Sequence, residues 1–518
     1  MSSRNRTYIL RRIALIFALV GVVVGSAQTE LEFSISPSPV GSGARAAGMA
    51  DAFVAIADDA TAASWNPAGL VQLERPELSI VGSFNAIMEQ FDTAFNPEFE
   101  GRHSAANSEL NFLSFVYPLP VSILGRNASI ALNYQRKYDF SRKFDGRIDS
   151  PFISLSSVGL FSGIFQTDVG FEQDGGLGTI TPAFAIELTR RLSVGLSLNI
   201  WRDAPWADNG WTQKTTFSGG LILNGGFTPF RTVRKEEYQD FKGENIVLGA
   251  LWSVTNKWSI GARYDSAFTG KVDYKIREIG LGSTDILRRR EKREMRLPAS
   301  FALGTAYRVN DKLTLSLDVT RTNWEEFYIR SGDRFGPVGN VGTRITMAGV
   351  RVRSSGIDAS DIDSYLNAPE IDPTITVRFG AEYVFLPKQP DEDMKRLWIL
   401  RWGAFYDEEA ATGKPTTPQF PGQNYRNSLF GVSSIGAGGI VASSYLGRKV
   451  PRNGDGQPDR FYGATVGAGL LALERLSVDA AYQLRYGPGV NSDLVRGVDG
   501  FEEDVFQHRI LLSAIFYF

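Results

Sequence analysis

From Pro76 to the last residue, apolar and polar side chains alternate with period two, the period of a β-strand whose faces meet different surroundings. In Leu192–Trp201, Leu192, Val194, Leu196, Leu198 and Ile200 face one way, and Ser193, Gly195, Ser197 and Asn199 the other. Leu313, Leu315, Leu317 and Val319 alternate with Thr314, Ser316, Asp318 and Thr320 in the same way. So do Ile375, Val377, Phe379 and Ala381 with Thr376, Arg378, Gly380 and Glu382, and Leu476, Val478 and Ala480 with Ser477 and Asp479. One face is apolar throughout; the other is small and charged. A soluble sandwich alternates too, but with shorter strands. Most of these runs reach the ~9–11 residues that cross a bilayer at a tilt. About fourteen are predicted, beginning near Leu78, Leu110, Ala128, Leu177, Leu192, Asn245, Trp258, Leu297, Leu313, Thr374, Leu397, Phe461, Leu476 and Val505. An even number is what a bacterial outer-membrane barrel requires.

The connections test this independently. Long ones (Asp92–Ser108, Ser141–Gly176, Arg202–Gly243, Thr269–Glu294, Glu325–Asp372, Glu408–Pro458, Pro488–Asp504) alternate with short ones such as Thr189-Arg190-Arg191, Asn310-Asp311-Lys312 and Leu473-Glu474-Arg475. A transmembrane barrel has short periplasmic turns and long outer loops, with both chain ends on the short-turn side. Trp201, Trp258, Tyr307, Trp324, Trp398 and Tyr486 lie towards strand ends, where an interfacial girdle would sit. The last strand alternates up to a terminal Phe518. The fold class is therefore all-β: a transmembrane antiparallel β-barrel of about fourteen strands.

Composition narrows the chemistry. With 518 residues and no visible linker, a single closed sheet is favoured over several soluble domains. A net charge of −2 gives no footprint for nucleic acid. The absence of Cys removes thiol nucleophiles and Fe–S clusters. His103 and His508 are the only histidines, and neither has a nucleophile motif nearby, so no enzyme and no cofactor is expected. Arg4, Arg6, Arg11 and Arg12, then apolar Ile13–Val24, then Gly25-Ser26-Ala27, read as a signal peptide (residues 1–27) cleaved after Ala27.

Between signal and strands, residues 28–75 are of another kind. Gly41–Leu70 is rich in Ala and Gly, and closes on Asn66-Pro67-Ala68-Gly69, where the X-Pro step favours a turn. This stretch, with AFVAIADDATAASWNPAGL at Ala52–Leu70, resembles the N-terminal plug of the long-chain fatty acid transporter (FadL, OmpP1, TodX) family. Leu297-Pro298-Ala299-Ser300, Thr322-Asn323-Trp324 and Asp459-Arg460-Phe461 add scattered matches. The resemblance implies a barrel (residues 76–518) whose lumen is closed by an N-terminal hatch, importing fatty acids or hydrocarbons across the outer membrane. It implies that Asn66, Pro67 and Ala68, with Asp58 and Asp59 in the same hatch, hold the plug against the wall. A merely structural turn is the alternative. It also implies targeting to the outer-membrane insertion machinery through Phe518. The expected partners are membrane lipid and lipopolysaccharide with one hydrophobic ligand, and the expected state is a monomer. The mature start, Gln28 to Phe33, is more acidic than the family's usual apolar N-terminus. The third strand, Ala128–Tyr134, has no obvious Gly at which to kink, so lateral exit has no support in the local sequence, and lateral and periplasmic exit both stay open.

Ligand contacts are less defined. A carboxylate would need a cation, since burying an unpaired charge is costly. Arg330 lies near the family's basic contact, and Arg378 and Arg401 point inward by parity; a lumenal charge network is the competing role. Phe217, Leu221, Leu223, Phe227 and Phe230 could form a greasy landing site on an outer loop, or a lid of loops packed together. Asn453, Asp455 and Asp459 resemble half a calcium loop, but no acidic residue closes it, and a polar turn is preferred. The basic run Arg288–Glu294 reads as a solvated loop end, with anionic surface lipid as its next candidate partner. A docking scaffold for protein secretion remains the rival to transport, because such barrels share a similar Ala-rich segment.

Overall fold

The computed structural model describes residues 38–39 and 41–518, except 94–96, 121–122, 124, 157–158, 224–225, 282–284, 332–371, 387–395, 411–430, 437–438, 444–457, 473–474 and 491–501. Fourteen strands among the described residues close into one antiparallel barrel. They are β1 (Glu77–Asp92), β2 (Gly101–Pro118), β3 (Ala128–Asp139), β4 (Gly159–Thr189), β5 (Leu192–Trp201), β6 (Gly226–Ser253) and β7 (Trp258–Asp265). The second half is β8 (Ser300–Arg308), β9 (Leu313–Thr322), β10 (Thr374–Phe385), β11 (Arg396–Glu409), β12 (Asp459–Ala472), β13 (Leu476–Val490) and β14 (Glu502–Tyr517). The seam joins β1 to β14 from Glu77↔Tyr517 to Asp92↔Glu502.

The burial pattern is inside-out relative to a water-soluble protein. Leu132 and Leu512 are 56% and 60% exposed, while Asp479 and Arg401 are 1% exposed. Only a lipid-facing wall makes this distribution favourable, because its apolar side chains then meet hydrocarbon. Every predicted strand is present, and Ala128, Leu192, Trp258, Leu313, Thr374 and Leu476 open theirs where the alternation begins.

Four of the long connections are not simple loops. Arg142–Ser156, Gly210–Leu223, Phe268–Ile279, Asp285–Leu297 and Tyr328–Ser331 pair with one another and with the outer halves of β4 and β6. They carry the wall on as a sheet beyond the bilayer. Their alternation has the opposite sense: Val272, Tyr274 and Ile276 are buried, and Lys271 and Arg277 are exposed. A search for lipid-facing apolar stripes passes over such strands.

The wall has one more irregularity. β2 pairs with β3 only from Pro118↔Ser129 to Phe112↔Gln135. Beyond that, β2 continues along β1, while β3 bulges, with Lys137 between the pairs Arg136↔Gly178 and Tyr138↔Leu177. The free edge of β3 is taken by the backbone of Ser38–Pro39, opposite Asp139 and Tyr138. A break therefore exists in this strand without glycine: an extra residue produces it.

Candidate functional site

Residues 41–75 lie inside the periplasmic half of the barrel. Two short helices, α1 (Ala44–Gly48) and α2 (Ala62–Trp65), are followed by a 3-10 turn, Pro67–Gln72. Such short helices have little stability of their own. Their polar backbone is satisfied by the wall instead. Ser316, Ser259, Ser197 and Ser193 donate to the carbonyls of Ala52, Ala55, Ala63 and Ala68 at 2.7, 2.8, 3.1 and 2.9 Å. Val54 N donates to Asp318 at 2.8 Å, and Ala50 N to Thr465 at 3.1 Å.

The close fit depends on glycine pairs facing each other across neighbouring strands: Gly195↔Gly249, Gly261↔Gly304 and Gly380↔Gly403. A Cβ at Gly195 would lie 2.3 Å from the Pro67 carbonyl carbon, and one at Gly261 would lie 2.2 Å from Val54 O. One at Gly380 would lie 2.5 Å from Met49 O. Plug backbone thus rests directly on wall backbone. Ala50 and Asp51, at φ 56° and 62°, hold a left-handed turn that only such confinement makes tolerable in non-glycine residues.

Asn66 is fully buried at the centre of this contact. Its Nδ2 donates to Val54 O at 2.9 Å and to Ala250 O at 3.0 Å, tying two plug segments to β6. Its Oδ1 accepts from Ala68 N at 3.1 Å and caps the turn, with Pro67 at the first position, where its missing N–H costs nothing. Pro67 and Ala68 pack against Gly195.

A chain of charges locks the other side. Arg45 of α1 makes a bidentate pair with Glu382 (2.9 and 3.1 Å) and meets Asp58 at 2.6 Å. Glu382 also meets Arg401 at 2.7 Å, and Arg401 meets Asp479 at 2.6 Å. Burial alone would disfavour the Arg45 charge, yet Asp58, Glu382 and Asp59 hold its pKa well above the ordinary value. Asp59 accepts from both the amide and the hydroxyl of Thr61, at 2.8 and 2.6 Å.

Above the plug the lining changes to large rings. Trp201 stacks on Tyr138 and Phe268 at 5.9 and 5.2 Å and meets Phe241 edge-on; its Nε1 donates to Asn245 at 2.8 Å. Trp211 stacks on Tyr238 at 4.3 Å, and Met295, Leu297 and Trp324 complete the cluster. Lys137, at the β3 bulge, feels the charges of Arg263 and Asp265 on β7 but forms no hydrogen bond or ion pair among the described residues. Beside it, side chains bridge the slit between β2 and β3: Arg136 to Glu109 at 2.7 Å, and Asn107 to Asp139 at 2.7 Å. Asn111, fully buried at the slit's edge, has no partner for its side-chain amide among the described residues.

The residues singled out from sequence are dispersed. Asn66, Pro67, Ala68, Asp58 and Asp59 come together in the plug. Arg401 is engaged beneath the plug, and Arg378 stands opposite Asp318 on β9. Arg330 pairs by backbone with Glu294, and its side chain lies outside the described residues. Phe217 packs against the buried Phe91, Phe99 and Phe144, Leu221 is buried in a strand, and Phe227 is 60% exposed. Phe230 sits opposite Gly219; the Leu223 side chain falls outside the described residues. So do Asn453, Asp455 and the signal peptide, while Asp459 opens β12. Trp201 and Trp324 line the interior rather than an interfacial girdle, whereas Trp258, Tyr307 and Trp398 face outward. Sequence reading missed Lys137. Its signal was Arg136, a charge where the outward positions Ile130 and Leu132 are apolar.

A search of curated protein sequences returned no relative. Among solved structures, a Pseudomonas aeruginosa FadL homologue is similar at 15% identity and TM-score 0.52, covering 93% of this chain and 100% of its own. A deltaS2 mutant of the TodX monoaromatic hydrocarbon channel is similar at 12% identity and TM-score 0.51, with the same coverage. Residues 38–429 match the family described as outer membrane protein transport protein (OMPP1/FadL/TodX). With that match running from Ser38 through the slit and strands β1 to β11, the chain belongs to the OMPP1/FadL/TodX family of outer-membrane transport proteins.

Proposed function

We propose that this barrel imports hydrophobic small molecules bearing a carboxylate, fatty acids in particular, by capturing them in the aromatic chamber and releasing them sideways through the β2–β3 slit. The observation that carries the reading is the adjacency of three features: a buried cluster of rings, the Gly41–Leu70 segment below it, and a wall held shut there by side chains instead of a backbone ladder. An apolar solute gains nothing from a water-filled pore, but burial against rings yields ~25 cal/mol per Å². The plug blocks the direct path to the periplasm, so the shorter route is into the membrane. Lys137, without an ion pair among the described residues, lets a carboxylate enter without stranding its charge. A neutral hydrocarbon, as the TodX relative's name implies for that protein, would use the same rings without Lys137.

The residue roles follow from this reading. Asn66, Pro67 and Ala68 latch the plug to β5 and β6, Arg45 with Asp58 latches it to β10, and Arg401 braces that second latch. Residues 1–27 form a cleaved export signal, residues 28–75 the hatch and residues 76–518 the barrel, which works as a monomer and is delivered through its C-terminal Phe518. The test is to purify the barrel in mild detergent and identify its extracted ligands by mass spectrometry. Stoichiometric fatty acid supports the proposal. A barrel free of apolar ligand that also fails to take up labelled fatty acid in vesicles sinks it.

A further inference from the structure

The outer sheet has a second face, turned away from the chamber, and its charge pattern is abnormal for a sheet. Lys271 stands directly opposite Lys242, Lys275 opposite Arg290, and Arg277 opposite both Arg288 and Lys235. Like charges directly opposite each other destabilise a ladder. Here the clashes recur in three adjoining strands, β6, Phe268–Ile279 and Asp285–Leu297. The same face carries acidic Asp273, Glu237 and Glu294, which stand opposite Lys292, Lys275 and Lys271 and are fewer than its cations; Glu237 also pairs with Lys235. Lys242, Lys271, Arg288, Arg290 and Lys292 are exposed and form no ion pair among the described residues. The opposite face is fully used, because Val272, Tyr274, Ile276, Met295 and Leu297 are buried in the aromatic cluster. Packing therefore fixes the direction in which the cations point.

Their height is fixed as well. The lipid-facing stripe of β7 and β8 ends at Tyr264 and Phe301, 41% and 48% exposed. The cationic stripe begins just beyond and follows Phe268–Ile279 outward, roughly 20 Å of strand from Lys271 to Arg277 at ~3.3 Å per residue. This is where the phosphorylated sugars of outer-leaflet glycolipid stand against a barrel. A row of phosphates would turn each cation–cation clash into a shared attraction, and guanidinium and ammonium groups both suit phosphate oxygens.

We infer that this face is a binding site for the phosphorylated glycolipid of the outer leaflet, engaging its phosphates with Lys242, Lys271, Lys275, Arg288, Arg290 and Lys292. The site is separate from the chamber, so its occupancy is independent of which solute the barrel carries.

The barrel extracted from outer membranes in mild detergent should retain glycolipid in native mass spectrometry. The variant K271E/K275E/R290E/K292E should retain about tenfold less or lower, given the known attraction of each near-surface cation to an anionic leaflet. A Gln version of the four positions separates lost attraction from introduced repulsion, and heat-modifiable migration on gels shows that each variant is folded. In the second arm, wild-type barrel is titrated with purified glycolipid before and after chemical removal of its phosphates. Loss of binding on dephosphorylation supports the site. Equal retention by folded variants, binding that survives dephosphorylation, or heparin displacing glycolipid at lower concentration would overturn it, the last in favour of a soluble polyanion.

Discussion

The two halves of the lumen solve opposite problems. In the periplasmic half, Gly, Ala and Ser bring plug and wall into backbone contact, and the remaining polarity is consumed by bonds such as Asn66 to Ala250 and by the Arg45–Glu382–Arg401–Asp479 chain. In the outer half, Trp201 packs on Phe241 and Trp211 on Tyr238, and Lys137 makes no ion pair among the described residues. Backbone contact through small residues suits the proposed seal, because it is directional and leaves no room for repacking. Ring contact suits the proposed chamber, because flat apolar faces exchange one neighbour for another at little cost. The contrast between seal and chamber predicts which substitutions leak and which only weaken binding.

The largest effect should come from the wall glycines. G195V combined with G261V places side chains where Pro67 and Val54 now sit, and planar-bilayer conductance should rise from nearly closed to porin-like. A folded double variant that conducts as the wild type does would mean the plug is not seated on these glycines. Next, R401M leaves Glu382 and Asp479 without their shared partner, and breaking a buried pair costs ~3–5 kcal/mol. Thermal unfolding should fall accordingly while ligand affinity in the chamber holds; a loss of affinity as large as the loss of stability would dissolve the distinction between the halves. Third, W201A should weaken fatty-acid binding about tenfold, ~1.4 kcal/mol, with conductance unchanged. The smallest effect belongs to K137Q. Affinity for a carboxylate should drop about two- to fivefold, as for an exposed ion pair, with none for a neutral hydrocarbon. Equal losses for both ligands would remove Lys137 from headgroup recognition.

Much of the fold was legible because a lipid-facing wall imposes one rule on every strand. Leu192, Leu313 and Leu476 open their strands as the alternation says. The outer sheet was not, because its buried face is the lumenal one, so Val272, Tyr274 and Ile276 alternate in the sense of a soluble protein. Asn66-Pro67-Ala68 could be seen as a motif, yet its partners Ala250 and Ser193 are contacts at long range that no local pattern encodes. The wall glycines were individually visible as breaks in a polar face. Their pairing across strands depends on register, which alternation leaves open by any even shift. Parity put Trp201 on the same face as Ser193 and Asn199; its place near a strand end suggested a girdle, and parity was the better guide.

The backbone pairing of Ser38–Pro39 with the bulged edge of β3 has a mechanical consequence. Between Pro39 and the start of α1 at Ala44 lie only residues 40–43, a tether that spans at most ~15–18 Å even when fully extended at ~3.3–3.6 Å per residue. On the proposed lateral route, a solute that prises this short strand off the slit draws on a line with little slack, anchored at Arg45. On that route, opening the slit and pulling on the Arg45 contacts would be coupled by length alone.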